Sequence, residues 1–418
     1  MRFRFGSLVT LLLVFAAAQS RAAEEPETWK PIPLSSRISE VQPMTGIVLW
    51  TTNGAVGTAP IQLEYSYLTY ADVVPREGEF DWTRVEKLLD EVAGRGHQLI
   101  LRWHDTYVGQ PSGVPRYIRA LPDYRETNAL SEKKRTGFPD WSHPELQRFT
   151  LEFFKRFVEK YDRDPRLAFV QVGFGLWSEY HIYDGPMVLG KTFPAHEFQT
   201  DFAEHLADTF RETPWMISVD AAGEHAPYAR DPDLLALRFG VFDDSFNHAK
   251  HAKENEPNWT TFGKDRWKIA PTGGEFSFFE SRDQKLALAP KGPHGIPFAQ
   301  QAAKFHISFL IGDGQPEVQK PPVIREAGLS TGYRFRVTKF EVAGARSRGE
   351  ITNGGIAPFY YDAFPAVNGV RSGTSLKGLL PGETRRFEVA AGGDAPRVTI
   401  EADRLVPGQR IGFDADLK

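Results

Sequence analysis

The 418-residue chain has no cysteine. That absence removes disulfides, thiolate metal sites and a lipid-modified cysteine, and it suits a bacterial periplasmic or secreted protein better than a disulfide-stapled eukaryotic one. Beyond residue 22 no stretch approaches the ~18 consecutive apolar residues of a membrane-spanning helix. There is no His-x-His pair of the kind a metal-dependent hydrolase barrel carries at a strand end, and His248-Ala249-Lys250-His251 reads as a polar loop. No Gly-x-Ser-x-Gly elbow is present for a serine hydrolase. Gly173-Phe174-Gly175 begins like a dinucleotide fingerprint, but the third glycine and the partner acid are missing. Neither a metal nor a cofactor is therefore expected. Long blocks of one charge are also absent, and no internal repeat of about 20–50 residues is visible.

What the chain does have begins with a leader. Arg2 and Arg4 precede an apolar run from Ser7 to Ala18, and Ser20 to Ala22 offers small residues for cleavage, so residues 1–22 read as a signal peptide. Removing Arg2, Arg4 and Arg21 takes the formal charge from −4 to −7, which disfavours a nucleic-acid partner. The basic run Lys133-Lys134-Arg135 after Glu132 reads as a solvated loop that could also meet an anionic sugar. With 41% hydrophobic and 13% aromatic residues the chain can bury a large core, and its aromatic rings suit either that core or the stacking faces of a carbohydrate groove. Composition does not distinguish an oligomer from a monomer.

Strand-length apolar runs occur at Gly46–Trp50, Ile61–Tyr67, Gln98–Trp103, Ala168–Phe174, Trp215–Val219, Gly240–Phe242, Trp267–Ala270 and Phe305–Ile311. Helical patterns at Trp82–Ala93, Pro144–Tyr161, Glu197–Phe210 and Pro297–Lys304 alternate with them. Such alternation implies parallel strands covered by helices, and its length matches a (β/α)8 barrel over residues 23–312, an open doubly wound sheet being the alternative. The proline-rich residues 313–329 read as a linker. Residues 330–418 then show period-two patterns, as in Tyr333–Val337, Thr384–Val389 and Arg397–Ile400, and read as a small all-β sandwich.

In a barrel of this kind the C-terminal strand ends converge on one cleft. The polar and aromatic residues there are Glu64 and Tyr67, then Arg102, Trp103, His104 and Asp105, then Trp177, Glu179 and Tyr180, then Asp220, Asp244 and Glu275. Glu179 and Glu275 each follow an apolar run directly. Cleaving an acetal takes one carboxylic acid to protonate the departing oxygen and one carboxylate to meet the oxocarbenium-like carbon, and two acids on opposite parts of a barrel rim could supply them. Aromatic neighbours would raise the pKa of Glu179, while bare backbone at Gly273-Gly274 could donate hydrogen bonds that keep Glu275 ionised. The same residues would also serve a carbohydrate-binding protein on a decayed barrel.

"VQVGFGLWSEYH" and "TGGEFSF" resemble the acid/base and nucleophile segments of clan A glycoside hydrolase barrels. Together with "IQLEYSYLTYADVVPREGEFDW", "HISFLIGDGQP" and "GEITNGGIAPFYYDAFPAV", they resemble a bacterial family that pairs a β-galactosidase-like barrel with a C-terminal β domain. The resemblance covers nearly all of the chain after the leader. It implies a retaining glycosidase acting on a poly- or oligosaccharide, with Glu179 as general acid/base and Glu275 as nucleophile. Clan A enzymes place Asn before the acid/base, where this chain has Ser178.

Overall fold

A computed structural model of the chain describes residues 28–280 and 282–418; the signal-peptide expectation for residues 1–22 falls outside them. Eight strands pair in parallel, each with the next and the last with the first, to close a barrel. In chain order they are Gly46–Trp50, Leu63–Thr69, Gln98–His104, Leu167–Gln171, Trp215–Ser218, Gly240–Phe246, Thr272–Phe276 and Phe309–Ile311. Closure excludes the open sheet. Helices including Thr83–Gly94, Pro144–Tyr161, His196–Thr209 and Phe298–Phe305 cover the outside.

Strand alternation sorts the apolar side chains into two cores. In the second strand Leu63 and Tyr65 point into the barrel while Leu68 faces the helices; in the third, Ile100 points in while Leu99, Leu101 and Trp103 point out. The interior residues are continuous with Tyr333, Phe335, Phe359 and Tyr361 of the C-terminal module. That module has a four-stranded sheet built on Phe335–Ala343, Arg346–Asn353 and Thr384–Val389, and a three-stranded sheet containing Phe364–Val367 and Val398–Glu401. It plugs the end of the barrel where the strands begin. There Arg404 donates to the carbonyls of Asp162 and Leu167 (both 3.0 Å), and the Tyr361 hydroxyl donates to the Ala168 carbonyl. The opposite end, where the strands finish, is left open.

Five details differ from the sequence expectation. The run Trp267–Ala270 is not the seventh strand: Arg266–Lys268 is a short 3-10 turn and the strand starts at Thr272. Its glycines disguise it, yet they are needed, because a side chain at Gly273 would strike the Phe309 ring and one at Gly274 the Asp243 carbonyl. Phe305 and His306 belong to the end of a helix, which His306 closes in the left-handed conformation at φ 53°. Residues 313–329, read as a linker, carry the helices Gln315–Val318 and Pro321–Leu329, with Gln315, Ile324 and Ala327 buried. Their prolines sit in the first turn, where a missing N–H costs nothing. At the other end, Lys30–Pro31 and Leu34–Ser36 pair with strands of the C-terminal module rather than with the barrel. The basic run around Lys133 tops a hairpin, Thr127–Ser131 against Lys134–Phe138.

Candidate active site

The open end of the barrel holds a cleft of about 890 Å³ whose walls include Glu179, Glu275, Tyr67, Trp177, Asp220 and Asp244. Glu275 is carried within the seventh strand, in register with Ile311 of the eighth. Glu179 reaches the cleft differently. After Gln171 the chain doubles back, with Leu176 N–H donating to His181 O (2.9 Å) and Tyr180 N–H to Phe174 O (2.9 Å). Trp177, Ser178 and Tyr180 all take positive φ, at 52°, 60° and 58°. Three non-glycine residues in that region within four positions is a costly backbone, of the sort found where a side chain must be held in one direction. Gly173 makes the fold-back possible, since a Cβ there would overlap the Ser178 carbonyl.

Electrostatics then separate the two acids. Arg102, fully buried, points inward from the third strand; it donates to Glu179 Oε1, to the Tyr67 hydroxyl (3.0 Å), and through Nε to Gln171 Oε1 (2.7 Å). His181 Nε2 lies 3.8 Å from Glu179 Oε2, and its Nδ1 is 2.8 Å from Asp220. Burial works against a charged His181, but the bond to Asp220 and the nearby Glu179 outweigh it and raise its pKa. Asp244 is pushed well up, by burial first and then by the charges of Asp220 and Glu179. Among the described residues nothing donates a hydrogen bond to the Glu275 carboxyl. Burial, and after it the charge of Glu179, raise its pKa to about 8 despite the opposing pull of Arg102.

For Glu275 this is the reverse of the sequence expectation, in which it stayed ionised. The Gly273 and Gly274 backbones are taken up by sheet pairing and close packing, so they give Glu275 nothing. Glu179, in turn, meets a guanidinium rather than a dry aromatic cage.

Five other residues lie elsewhere. Glu64 points out of the barrel and is held by Arg95 (2.8 and 2.6 Å) and His97 (2.8 Å). Trp103, one position from Arg102 and so on the opposite face, packs against Tyr70, Phe153 and Phe157 in the helix layer. Tyr180 is also wholly buried, its hydroxyl 3.3 Å from that of Tyr228. Neither ring can stack on a sugar in the cleft. His104 and Asp105 line a neighbouring cavity instead.

Sequence reasoning missed the rim. Tyr107, Tyr183, Phe278 and Phe279 are exposed aromatics that line the cleft together with Trp177, and the Tyr183 and Trp177 rings are stacked at 6.1 Å. Their positions in loops gave no periodic signal. Ligand atoms of Glu179, His181 and Asp244 lie within 4.8 Å of one another, a set that could hold a cation, although the Arg102 guanidinium already occupies Glu179.

No family model matches the chain, and no curated protein matches it. Among solved structures it is similar to endo-glycoceramidase II from Rhodococcus sp., with a TM-score of 0.44 and 10% identity over 85% of this chain and 100% of that one. It is also similar to an α-galactosidase from Geobacillus stearothermophilus, at a TM-score of 0.40 and 10% identity over 83% of this chain and 55% of the other.

Proposed function

We propose that the protein is an exported glycoside hydrolase that cleaves a poly- or oligosaccharide with retention of configuration, using Glu179 and Glu275. The observation that carries this reading is the pair itself: two buried carboxyl groups, Glu179 on the loop after the fourth barrel strand and Glu275 within the seventh, face one aromatic-rimmed cleft, one paired with Arg102 and the other, among the described residues, given no hydrogen bond. Retaining cleavage needs that asymmetry, because one group must give a proton while the other attacks as an anion.

The charges favour Glu275 as the acid and Glu179 as the nucleophile, opposite to the order that the clan A resemblance implies. In the first step Glu179 Oε2, the oxygen not bonded to Arg102, forms a bond to the anomeric carbon as the glycosidic C–O bond breaks, and the Glu275 proton goes to the leaving oxygen. In the second, water attacks that carbon, its proton passes to Glu275, and the bond to Glu179 breaks. Trp177, Tyr183, Phe278 and Phe279 would offer their faces to the apolar sides of the sugar rings.

The test is hydrolysis of a glycan panel by the leaderless protein, with Glu179→Gln and Glu275→Gln each lowering turnover by several orders of magnitude while both variants still unfold in one cooperative transition. Near-wild-type turnover in either variant removes that residue. Azide with an activated substrate then settles the roles. Glu275→Ala should yield a glycosyl azide of retained configuration and Glu179→Ala an inverted one, and the opposite outcome restores the order that the resemblance implies. Binding of glycans with no hydrolysis of any would make the protein a carbohydrate-binding barrel instead.

A further inference from the structure

Six carboxyl groups line the cleft, those of Glu132, Glu179, Asp220, Asp244, Glu254 and Glu275, and among the described residues no lysine or arginine lines it. The cations around it are already committed. Arg102, fully buried, is bonded to Glu179, Tyr67 and Gln171; His181 Nδ1 is 2.8 Å from Asp220; and Lys134, on the hairpin tip, stands 3.9 Å from Glu132. Two of the acids within the cleft are left over. Asp244, on the sixth strand with its side chain 18% exposed, accepts no hydrogen bond from the described residues and lies 3.9 Å from the His181 Nδ1 that Asp220 already holds. Glu275, on the adjacent seventh strand and 9% exposed, lines the same cleft with no donor of its own.

An excess of carboxyl groups over cations in a buried place is unfavourable, and the protein meets it by retaining protons: Asp244 and Glu275 are both raised, by burial first and then by neighbouring acids. A ligand bringing positive charge relieves that strain. One bringing a sulfate or carboxylate adds to it, so an anionic sugar does not fit. Ligand atoms of Glu179, His181 and Asp244 lie within 4.8 Å of one another, but Arg102 and Asp220 engage the first two, which leaves a metal ion one free carboxylate where it needs several ligands. An ammonium group asks for less. Its three N–H donors are satisfied by one carboxylate and by neutral acceptors, such as the Ser245 hydroxyl and the Asn255 amide that line the same cleft.

We propose that the cleft takes an amino sugar, whose free amine is protonated and paired with Asp244 beside the reacting carbon. This rests on the glycoside hydrolase reading and names its substrate class. An Asp244 oxygen lies within 4.8 Å of a Glu179 oxygen, so an ammonium group held by Asp244 falls close to the anomeric carbon that Glu179 attacks, as an amine on the neighbouring ring carbon does. Acetylating that amine removes its charge, and a hydroxyl in its place carries none. Either neutral form leaves Asp244 without a cation.

Matched sugars isolate the charge, and binding tests it without requiring turnover. Fully deacetylated chitotriose, its N-acetylated form and cellotriose share one β-1,4 skeleton and differ at carbon two, as amine, acetamide and hydroxyl; monosaccharides of the gluco, galacto and manno series repeat the comparison. Isothermal titration of the leaderless protein at neutral pH and low salt should show, in at least one series, the amine bound at least tenfold more tightly than both neutral counterparts. Asp244→Asn should cut that preference below threefold, whereas Glu254→Gln, at an exposed position of the cleft wall, should keep it, with both variants unfolding in one cooperative transition. Amines bound no better than their neutral counterparts in every series would overturn the proposal, and that comparison needs no variant. A preference that survives Asp244→Asn would overturn it too, as would one lost equally in both variants, which marks diffuse attraction to an acidic surface. Hydrolysis of the same trisaccharides and of the glycan panel is measured separately. An amine preference with no cleavage would refute the hydrolase reading and leave the amino sugar standing; cleavage of neutral glycans with no amine preference would do the converse.

Discussion

Replacing Glu275 by glutamine should make the protein more resistant to alkali, in a pH window that the structure sets. In the folded chain burial and the Glu179 charge hold the Glu275 pKa at about 8, against an ordinary glutamate value of 4.5. Unfolding would restore the ordinary value. Between those two pH values the folded state therefore holds more of this proton than the unfolded state, and stability falls as pH rises. The contribution is whole below pH ~4.5, falls through pH ~8 and is flat above it. A gap of about 3.5 units corresponds to ~5 kcal/mol at 1.36 kcal/mol per unit. Water in the open cleft screens part of that, so ~3 kcal/mol is a fair expectation. For a chain of this length the unfolding entropy is on the order of 0.8 kcal/mol per kelvin, so the difference is worth about 4 °C in melting temperature.

The assay is thermal melting of wild type and Glu275→Gln from pH 4.5 to 9.5 at constant ionic strength. Asp105 and Asp243, raised by burial to about 7 and about 6, titrate in both proteins and cancel in the difference. The difference curve should rise with pH in favour of glutamine and level off above pH ~8.5. Parallel curves would mean that Glu275 is already ionised in the folded protein, and the assignment of the proton to it would fall.

Three further outcomes follow from the same geometry. If Glu275 is the acid, kcat/KM should fall with a single ionisation as pH rises through about 8; a limb that stays flat to pH 9.5 would count against it. Gly173→Ala should cost more than about 2 kcal/mol and abolish turnover, because its Cβ would overlap the Ser178 carbonyl and displace the loop bearing Glu179; a melting temperature within ~1 °C of wild type would show that the loop relaxes cheaply. Limited trypsin digestion, followed by mass spectrometry, should cut first at the exposed Lys133-Lys134-Arg135 hairpin tip rather than at Arg325, whose helix is anchored by Ile324 and Ala327; early cleavage at Arg325 would restore the linker reading.

The barrel was legible because its signals are repeated eight times and depend on apolar burial. Gly46–Trp50, Trp215–Ser218 and the helix Pro144–Tyr161 lie where their patterns place them. Misplaced elements share one cause, a local rule outweighed by packing. Thr272–Phe276 carries two glycines that weaken any strand signal, yet the neighbouring Phe309 ring and Asp243 carbonyl leave room for nothing larger. Pro316, Pro321 and Pro322 looked like breakers and instead begin helices. The N-terminal residues 30–36 have no pattern of their own; they are strands only because the C-terminal module offers them edges.

At the site, strand ends were legible and strand faces were not. Alternation is strict, so a candidate list drawn from consecutive residues contains outward members: Arg102 points into the barrel, where it meets Glu179, and Trp103 beside it enters the helix layer. The same parity takes Glu64 to Arg95 and Tyr67 to Arg102. Counting inward from Ile100 or Tyr65 would have sorted them. Charge order is a different matter, because it depends on contacts between distant strands. Nothing near Glu179 in sequence announces Arg102, 77 positions away, and nothing near Glu275 announces that it lacks a donor. Nor does Trp177-Ser178-Glu179-Tyr180 look like strained backbone, since none of its members is a glycine. The strain and the guanidinium act on the same side chain. The loop fixes the direction of Glu179, Arg102 holds one of its oxygens, and the other is left toward the cleft and His181. In the proposed mechanism that arrangement suits Glu179 to attack. The proton then belongs to Glu275, the buried acid to which nothing among the described residues donates a hydrogen bond.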